Sequence, residues 1–516
     1  MPLEKKYDAI VVGGGHNGLV AAAYLARAGK KVVLLEAEAE LGGATTSVRP
    51  FPEFDARLSR YSYLVSLLPD QIIADLGINF KTLERSIASY TPYVDKNSAK
   101  AGGLLISQNW DARTAQSFQD LTGSSAEGEA WQKFYGEIAE LAKRIAPAML
   151  QPLKSAKDLK SEVGLPETWK YLMERPIGEV IRERFSDDIV RGVALTDGLI
   201  GTFVSADDLQ ANRCFLYHLI GNGTGQWRVP QGGMGALVIE LKRVAIAAGV
   251  EILLNSRVSE IDTDANGVSV KTTDGAKFTA QNLLFAGAPQ TLAQIRGVDK
   301  PKSLEGSQLK INMLVSKLPR LKSGVDPRLA FAGTFHINES YSQLESAYRS
   351  AKAGSIPSDL PLEIYCHTLT DPTILSPELS AAGYQTLTLF GLHTPAMLFD
   401  KSPDAAKAAA KVAALESLNQ YLVDPIESVL AVCEDGSLAI EAKSPLDLEN
   451  DISLPRGNIF HRDLDFPFID GSGSDLTWGS ETADQHIYLA GAGARRGGGV
   501  SGIAGHNAAM AVLAND

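Results

Sequence analysis

Cysteine is nearly missing from this 516-residue chain: three residues, Cys214, Cys366 and Cys433, stand far apart with no CxxC pair. Such scarcity argues against a zinc site, a dithiol redox centre and a disulfide framework, and leaves ordinary buried thiols as the expectation. Long apolar runs are missing too. The N-terminal apolar stretch, Ala9 to Ala26, is broken by Gly13, Gly14, Gly15, His16 and Asn17, so it reads poorly as a signal peptide. No run of about 18 apolar residues offers a membrane span. A strand starting near Tyr7 leaves no room for a removable presequence, and the cytosol is the expected compartment. Positive charge is in deficit: 49 lysines and arginines face 61 aspartates and glutamates, a net charge of −12. An acidic surface of that kind repels nucleic-acid phosphates and anionic lipid, so no nucleic-acid partner is expected.

The chain is long enough for two closely packed domains with ample cores. Tyr7 to Val12, Asn17 to Ala28 and Lys31 to Glu36 read as strand, helix and strand. From Tyr61 to Gln226 the pattern becomes mainly helical. There Trp131, Phe134, Ile138, Leu141 and Ile145 recur at helical spacing on one face, as a core stripe does. The stretch Tyr61 to Leu68, with Ile72, Ile73 and Leu76, is apolar and partly helical in pattern, either core or one wall of a channel for an apolar ligand. Further on come a helix at Ala236 to Ala248, a strand at Glu251 to Leu254 and a hairpin across Thr273-Asp274-Gly275. Strand-like segments at Lys310 to Val315, Leu362 to Thr368 and Thr386 to Phe390 imply a second sheet. An Ala-rich helix follows at Ala405 to Val423, and a strand at His486 to Ala490 leads through a Gly-rich turn to a last helix.

Gly13-Gly14-Gly15-His16-Asn17-Gly18 fits GxGxxG at the turn from an apolar strand to a helix. In that context Gly13 permits the tight turn, Gly15 lets backbone approach a pyrophosphate, and Gly18 allows close helix-to-strand packing, with the anion over the helix N-terminus. Glu36 ends the next strand, 18 residues after Gly18, where a carboxylate accepts from a ribose hydroxyl and repels a 2′-phosphate. The spacing therefore predicts a dinucleotide. Gly42 and Gly43, followed by Ala44, Thr45 and Thr46, form a second backbone-exposing loop along which a longer cofactor can continue. Near the end, Gly491-Ala492-Gly493 leads to Gly497 through Gly502 and an apolar helix, whose N-terminus suits the electron-rich edge of a reduced flavin. FAD is the expected cofactor.

The blocks YDAIVVGGGHNGLVAAAYLARAG, LLEAEAELGGATTS, SRYSYLVSLLPDQIIADLGI, VPQGGMGALVIEL and IYLAGAGARRGGGVSGIAGHNAA, with SPLDLE and GNIFH, resemble the carotenoid and retinoid oxidoreductase family. The nearest branch is the phytoene-desaturase-like one named for a pyridine nucleotide-disulphide oxidoreductase domain. The resemblance implies an α/β fold: a discontinuous Rossmann-type FAD domain of the glutathione-reductase class, at 1–60, 227–300 and 445–516, and an α+β substrate domain with a mixed sheet and helices, at 61–226 and 301–444. It further implies pyrophosphate contacts at Gly13, Gly15, Asn17 and Gly18, ribose contacts at Glu36 and Ala37, and neighbouring contacts at Gly42, Gly43, Ala44 and Thr45. Adenine contact falls to the backbone of Val258, at the end of the strand after Gly249. Gly493, Gly498, Gly499, Val500 and Gly502 match the flavin-side loop. Arg495-Arg496 stands where relatives often carry His-Pro.

Only one nucleotide fingerprint is present, so no separate NAD(P)H domain is expected and electrons would leave to oxygen, a quinone or another diffusible acceptor. The expected activity is hydride transfer from a C–H bond of an apolar, isoprenoid- or lipid-like small molecule to the flavin, with peripheral membrane contact for its uptake. Arg495, Arg496 and His461 are the candidates for catalysis; His16 is expected to shape the turn and His506 to cap or pack. Three alternatives stand beside this reading: a flavin amine oxidase, a polyene isomerase without net oxidation, and a non-catalytic flavoprotein that binds partners. Against the amine oxidase, no aromatic residue follows Tyr488 and no cysteine follows Cys433.

Overall fold

A computed structural model describes residues 5–94, 99–469 and 477–515. The apolar run near the N-terminus becomes the strand Lys5–Val12, which takes a central place in a seven-stranded sheet. The strand order is Val258–Asp264, Gly267–Thr272, Lys277–Phe285, Lys5–Val12, Val32–Leu35 and Glu251–Leu253, and Ile487–Leu489 adds to Lys277–Phe285. Around the centre the strands run parallel, with Ile10 opposite both Leu283 and Val33. Ile10, Val11, Val33, Leu34, Leu283 and Leu284 are all fully buried, which requires cover on both faces of the sheet.

One face is covered by the helices His16–Arg27, Met234–Ala247 and Ile503–Ala514. The first and last of these touch almost backbone to backbone: a Cβ on Gly505 would stand 2.0 Å from the Asn17 carbonyl oxygen. On the other face Tyr7, Ile10, Val33, Val258, Phe278 and Leu292 form a smaller core. The strand Lys277–Phe285 carries two neighbours on one edge. Its first half pairs with the antiparallel Gly267–Thr272, and Leu283 to Phe285 pair with the parallel Ile487–Leu489.

The second sheet also has seven strands, ordered Ile440–Lys443, Leu309–Val315, Gln385–Gly391, Leu362–Tyr365, Thr334–Ile337, Ile87–Val94 and Ala101–Ser107. It is mixed, because Thr334–Ile337 runs parallel to Ile87–Val94 while the other pairs are antiparallel. Between the two sheets in sequence lies a helical layer that includes Ala126–Ile145 and Leu209–Ile220. Trp131, Phe134, Ile138, Leu141 and Ile145 all turn into its core.

The structure refines two sequence expectations and corrects a third. Residues 61–226 are mainly helical, and they also contribute the hairpin Ile87–Val94 and Ala101–Ser107 to the second sheet. Pro92, Gly102 and Gly103 hid it; the glycines leave room for tyrosine rings from the facing strand, and a Cβ on Gly103 would lie 2.1 Å from the Tyr90 hydroxyl. The apolar stretch from Tyr61 to Leu76 is partly helical as expected: its helix begins after Pro69, at Asp70–Leu76, and Tyr61 to Leu68 is extended, with Val65 bridged to Arg228. Lastly, Val258 opens the strand Val258–Asp264; the strand after Gly249 has already ended at Leu253. Among the described residues no helix is long and apolar enough to cross a membrane.

Candidate active site

A cavity of about 500 Å³ opens at the carboxyl ends of the parallel strands, where an open α/β sheet presents its ligands. Its floor is the fingerprint. Gly13 holds φ at +103°, and Gly18 must lack a side chain because a Cβ there would sit 2.0 Å from the Gly13 carbonyl oxygen. Gly15 differs: a Cβ there would meet nothing nearer than the Gly42 carbonyl, 3.9 Å away, so its bareness leaves open space. The helix His16–Arg27 starts at this point, and its first backbone N–H groups have no partner within the helix.

Glu36 lines the cavity half-buried, with its carboxylate fixed from behind: Oε2 accepts from the Gly14 N–H at 2.6 Å and Oε1 from the Glu38 N–H at 2.9 Å. Ala37, Gly43, Ala44 and Val258 continue the wall, while Asn17 presents a buried Oδ1 without a protein partner. The far end is closed by Gly498, Gly499, Val500 and His461. His16 spans the two ends of the sequence, since its ring reaches the Gly499 backbone while its Nε2 lacks a partner. Loss of water pushes His16 down to about 4, and burial together with the neighbouring His16 pushes His461 down to about 4, so both rings are neutral at pH 7. A concave, glycine-floored groove with an orphaned amide oxygen and two neutral, under-bonded imidazoles fits a long, polar-backed cofactor with a flat uncharged head.

Other expected residues serve this wall from behind. Gly42 takes φ +130° and donates to the Gly14 carbonyl at 3.0 Å, and Thr45 Oγ1 donates to the Gly42 carbonyl at 2.6 Å. Gly493 packs on Pro289 and accepts from Arg462 Nε at 2.7 Å, and Gly502 packs near Val20 and Ile72. His506 packs edge-on against Tyr24 and sits beside Asn507 Oδ1.

The two arginines do not line the cavity, and their candidacy for catalysis is corrected. Arg496 is 1% exposed and donates to the carbonyls of Ala148 (2.8 Å), Gln151 and Trp478 (2.7 Å). Arg495 donates to the Phe468 carbonyl at 2.8 Å. A guanidinium fork is well suited to clamp carbonyls from separate segments, and here it holds the C-terminal loop in place.

Two contributors were missed by sequence reasoning. Ala286, Gly287 and Ala288 line the cavity beside Gly13, because Lys277–Phe285 is the strand next to Lys5–Val12 and ends at the same edge. Lys310 lines it from the second sheet, 2% exposed within a wholly buried strand. Its Nζ donates to the carbonyls of Tyr61 (2.8 Å) and Ser59 (3.1 Å) and lies 4.9 Å from the Phe390 ring centroid, and burial drives its pKa well down. A lone lysine amid Leu309, Ile311, Met313 and Val315 was the available signal. Tyr61, Tyr63, Leu64 and Leu67 line the same chamber, so the Tyr61 to Leu68 stretch is core on one side and wall on the other.

The family model for FAD dependent oxidoreductases matches residues 8–336. The chain belongs to this FAD-dependent oxidoreductase family. FAD is its cofactor, and redox chemistry its activity. An uncharacterized protein of Mycobacterium tuberculosis is 43% identical over 527 residues, covering 99% of this chain and 98% of that protein. A mouse pyridine nucleotide-disulfide oxidoreductase domain-containing protein 2 is 29% identical, covering 99% and 94%. Among solved structures, a putrescine oxidase variant covers all of both chains with a TM-score of 0.61 at 18% identity, a likeness of fold.

Proposed function

We propose that this oxidoreductase dehydrogenates an apolar, isoprenoid- or lipid-like substrate. In this reading residues 1–60, 227–300 and 445–516 hold FAD, with Gly13, Gly15, Asn17 and Gly18 at the pyrophosphate. Glu36 and Ala37 meet the ribose, Val258 the adenine, and Gly498 to Val500 the flavin. The bound cofactor supplies hydride-accepting chemistry. Residues 61–226 and 301–444 supply the substrate chamber.

One observation carries the reading: the cavity wall includes Tyr63, Leu67, Ile200, Tyr217 and Phe390, and burial holds His218, His461 and Lys310 among them away from their charged forms. His218 is pushed down to about 4 by burial, as His461 is by burial and by His16, and Lys310 is driven toward the free amine by loss of water. Lys310 Nζ is held in place by donating to the carbonyls of Tyr61 and Ser59. An aromatic and aliphatic wall of this kind excludes water and positions a C–H donor. Partial likeness to a hydroxyneurosporene desaturase of Cereibacter sphaeroides, 24% identical across 55% of this chain, supports the substrate class. Such substrates reside in lipid, so transient contact with a membrane surface belongs to the proposal, as does release of electrons to oxygen, a quinone or another diffusible acceptor.

A second reading, an amine oxidase, is favoured by Lys310 itself: the wall already holds an amine against the rings of Phe390 and Tyr63. Anaerobic mixing of the yellow holoprotein with apolar polyenes, cyclic amines and hydroxylated or carboxylated lipids separates the two. Loss of flavin colour with polyenes or other apolar C–H donors is expected; loss with amines alone selects the second reading. Polyene rearrangement by prereduced protein without colour change would mark an isomerase, and a flavin that no compound bleaches and no acceptor reoxidises would mark a binding protein.

A further inference from the structure

Behind the cavity wall lies a group of ionisable residues that neither FAD binding nor the chamber uses. Glu363, on the strand Leu362–Tyr365, stands directly opposite His336 on the antiparallel Thr334–Ile337. Three residues beyond His336, Glu339 reaches back so that its Oε2 meets His336 Nδ1 at 2.6 Å. Polar atoms of His336, Glu339 and Glu363 gather within 4.8 Å of one another, and these side chains are 4%, 1% and 3% exposed. Asp197 and Arg85 complete the surroundings, and both act electrostatically on Glu363's neighbours.

This group is joined to the cavity by hydroxyls. The Tyr63 hydroxyl, on a side chain that lines the cavity, donates to the Tyr365 hydroxyl at 3.1 Å. The Tyr365 hydroxyl donates in turn to Glu363 Oε2, and Thr196 Oγ1 donates to Glu363 Oε1 at 2.8 Å. Both carboxylate oxygens of Glu363 are thus acceptors and both phenol hydrogens point inward, so the outermost oxygen of the chain, on Tyr63, has a lone pair to spare. A phenol that receives one proton and passes on another is unchanged.

We propose that Glu363 is the proton-accepting terminus of a hydroxyl relay that opens into the cavity at Tyr63 and passes through Tyr365. The inference rests on the cavity being the redox site. When a substrate C–H bond gives its hydride to the flavin, the accompanying proton binds the Tyr63 oxygen. Tyr63 passes its own hydrogen to Tyr365, Tyr365 passes its hydrogen to Glu363 Oε2, and the carboxylate becomes a carboxylic acid. Substrate loses two hydrogen nuclei and two electrons; flavin gains the hydride and Glu363 the proton. The chain then points outward, with Glu363 donating to Tyr365 and Tyr365 to Tyr63, poised to return the proton on reoxidation.

The balance of charge permits this exchange. Burial raises Glu363 and Glu339 raises it further, while His336 and the hydroxyls of Tyr365 and Thr196 oppose them, leaving it at about 7. Asp197 is likewise lifted to about 7, burial raises Glu339 well above the usual carboxylate range, and Arg85 is the buried cation facing them. From the cavity side Lys310 lies 5.9 Å from the Tyr63 ring. Glu363 is therefore the acid that both titrates near neutrality and has a hydroxyl path to the cavity.

Infrared difference spectra of the FAD holoprotein test this without any substrate, in ordinary and heavy water on the alkaline side of the Glu363 titration. Photoreduction puts negative charge on the cofactor, and the relay then brings a proton to Glu363. The expected result is a new carbonyl band of a protonated carboxyl, shifted in heavy water and absent from Glu363→Gln. Tyr365→Phe and Tyr63→Phe, which keep their rings, are expected to delay that band behind flavin reduction. A band that survives Glu363→Gln, a spectrum with no carboxyl change, or phenylalanine variants that protonate in step with the flavin would each overturn the relay. Flavin colour and its bleaching by light report the cofactor separately, so a protein that stays colourless fails as a flavoprotein and not as a relay.

Discussion

Substituting Gly15 and Gly18 by alanine in turn separates binding from packing within one motif. At Gly15 the backbone is extended, with φ −69° and ψ 171°, which alanine adopts without strain. The new methyl would point into free space, 3.9 Å from the nearest heavy atom. The apoprotein should therefore keep its stability, or gain about 0.5 kcal/mol from a less mobile unfolded chain. Binding should suffer, because the methyl occupies the approach to the first turn of the helix. Losing one charge-assisted hydrogen bond to a phosphate removes about 1.5–3 kcal/mol, or about tenfold to a hundredfold in Kd. At Gly18 the methyl would stand 2.0 Å from the Gly13 carbonyl oxygen and 3.1 Å from Ala286 Cβ. Helix and strand must part by more than 1 Å, and overpacking of that kind costs about 1–3 kcal/mol. Urea denaturation of both apoproteins, followed by fluorescence titration with FAD, reads the two quantities apart. In wild type a hundredfold excess of FAD over Kd adds about 2.7 kcal/mol of stability, and at the same FAD concentration Gly15→Ala should keep only about 0.4–1.4 kcal/mol of that gain. An apoprotein of Gly15→Ala weaker than that of Gly18→Ala, or one that binds FAD like wild type, would refute the assignment of open space at Gly15.

Other consequences are as direct. Glu36→Gln keeps the size but loses the carboxylate fixed by the Gly14 and Glu38 N–H groups, so FAD Kd should rise by about tenfold or more, measured by calorimetry. His16, His218 and His461 titrate at about 4 in the folded state against 6.5 ordinarily; the unfolded chain then binds more protons between those values. Apoprotein stability should fall as pH drops from 6.5 toward 4, and His461→Asn should flatten that slope. For Lys310 the sign gives stability rising with pH below its ordinary titration range, because the folded amine binds its proton less readily than the unfolded one; Lys310→Met should remove that component of the urea profile. Arg496→Met should unfold at lower urea by about 3 kcal/mol, since three carbonyls, that of Ala148 buried, lose a charged donor and the deeply buried side chain loses its ties.

The dinucleotide unit was legible because its residues act locally: Gly13 to Gly18 and Glu36 belong to one strand-helix-strand turn, and their spacing alone places them around one ligand. Core stripes such as Trp131 to Ile145 were legible for the same reason. What escaped depends on contacts across long stretches of chain. Ala286 to Ala288 and Lys310 enter the cavity through sheet pairings such as Phe285 with Val12 and Lys310 with Phe390, far apart in sequence, and no local period reveals such pairing. Arg495 and Arg496 misled because the loop was placed correctly near the cavity while the direction of its side chains is set by carbonyls at Ala148, Gln151 and Phe468. The hairpin Ile87–Val94 and Ala101–Ser107 hid because its tyrosines fill the room of glycines on the facing strand.

The split edge of Lys277–Phe285 bears on how the protein is made. Its latter half is left bare until Ile487–Leu489 arrives, and the helix Ile503–Ala514 must then seat Gly505 against Asn17 from the opposite terminus. A ribosome releases these residues long after Lys5–Val12 and Lys277–Phe285, so the cofactor groove is completed only once they have emerged. A nascent chain stalled before residue 487 should therefore be colourless, however well its helical layer has condensed.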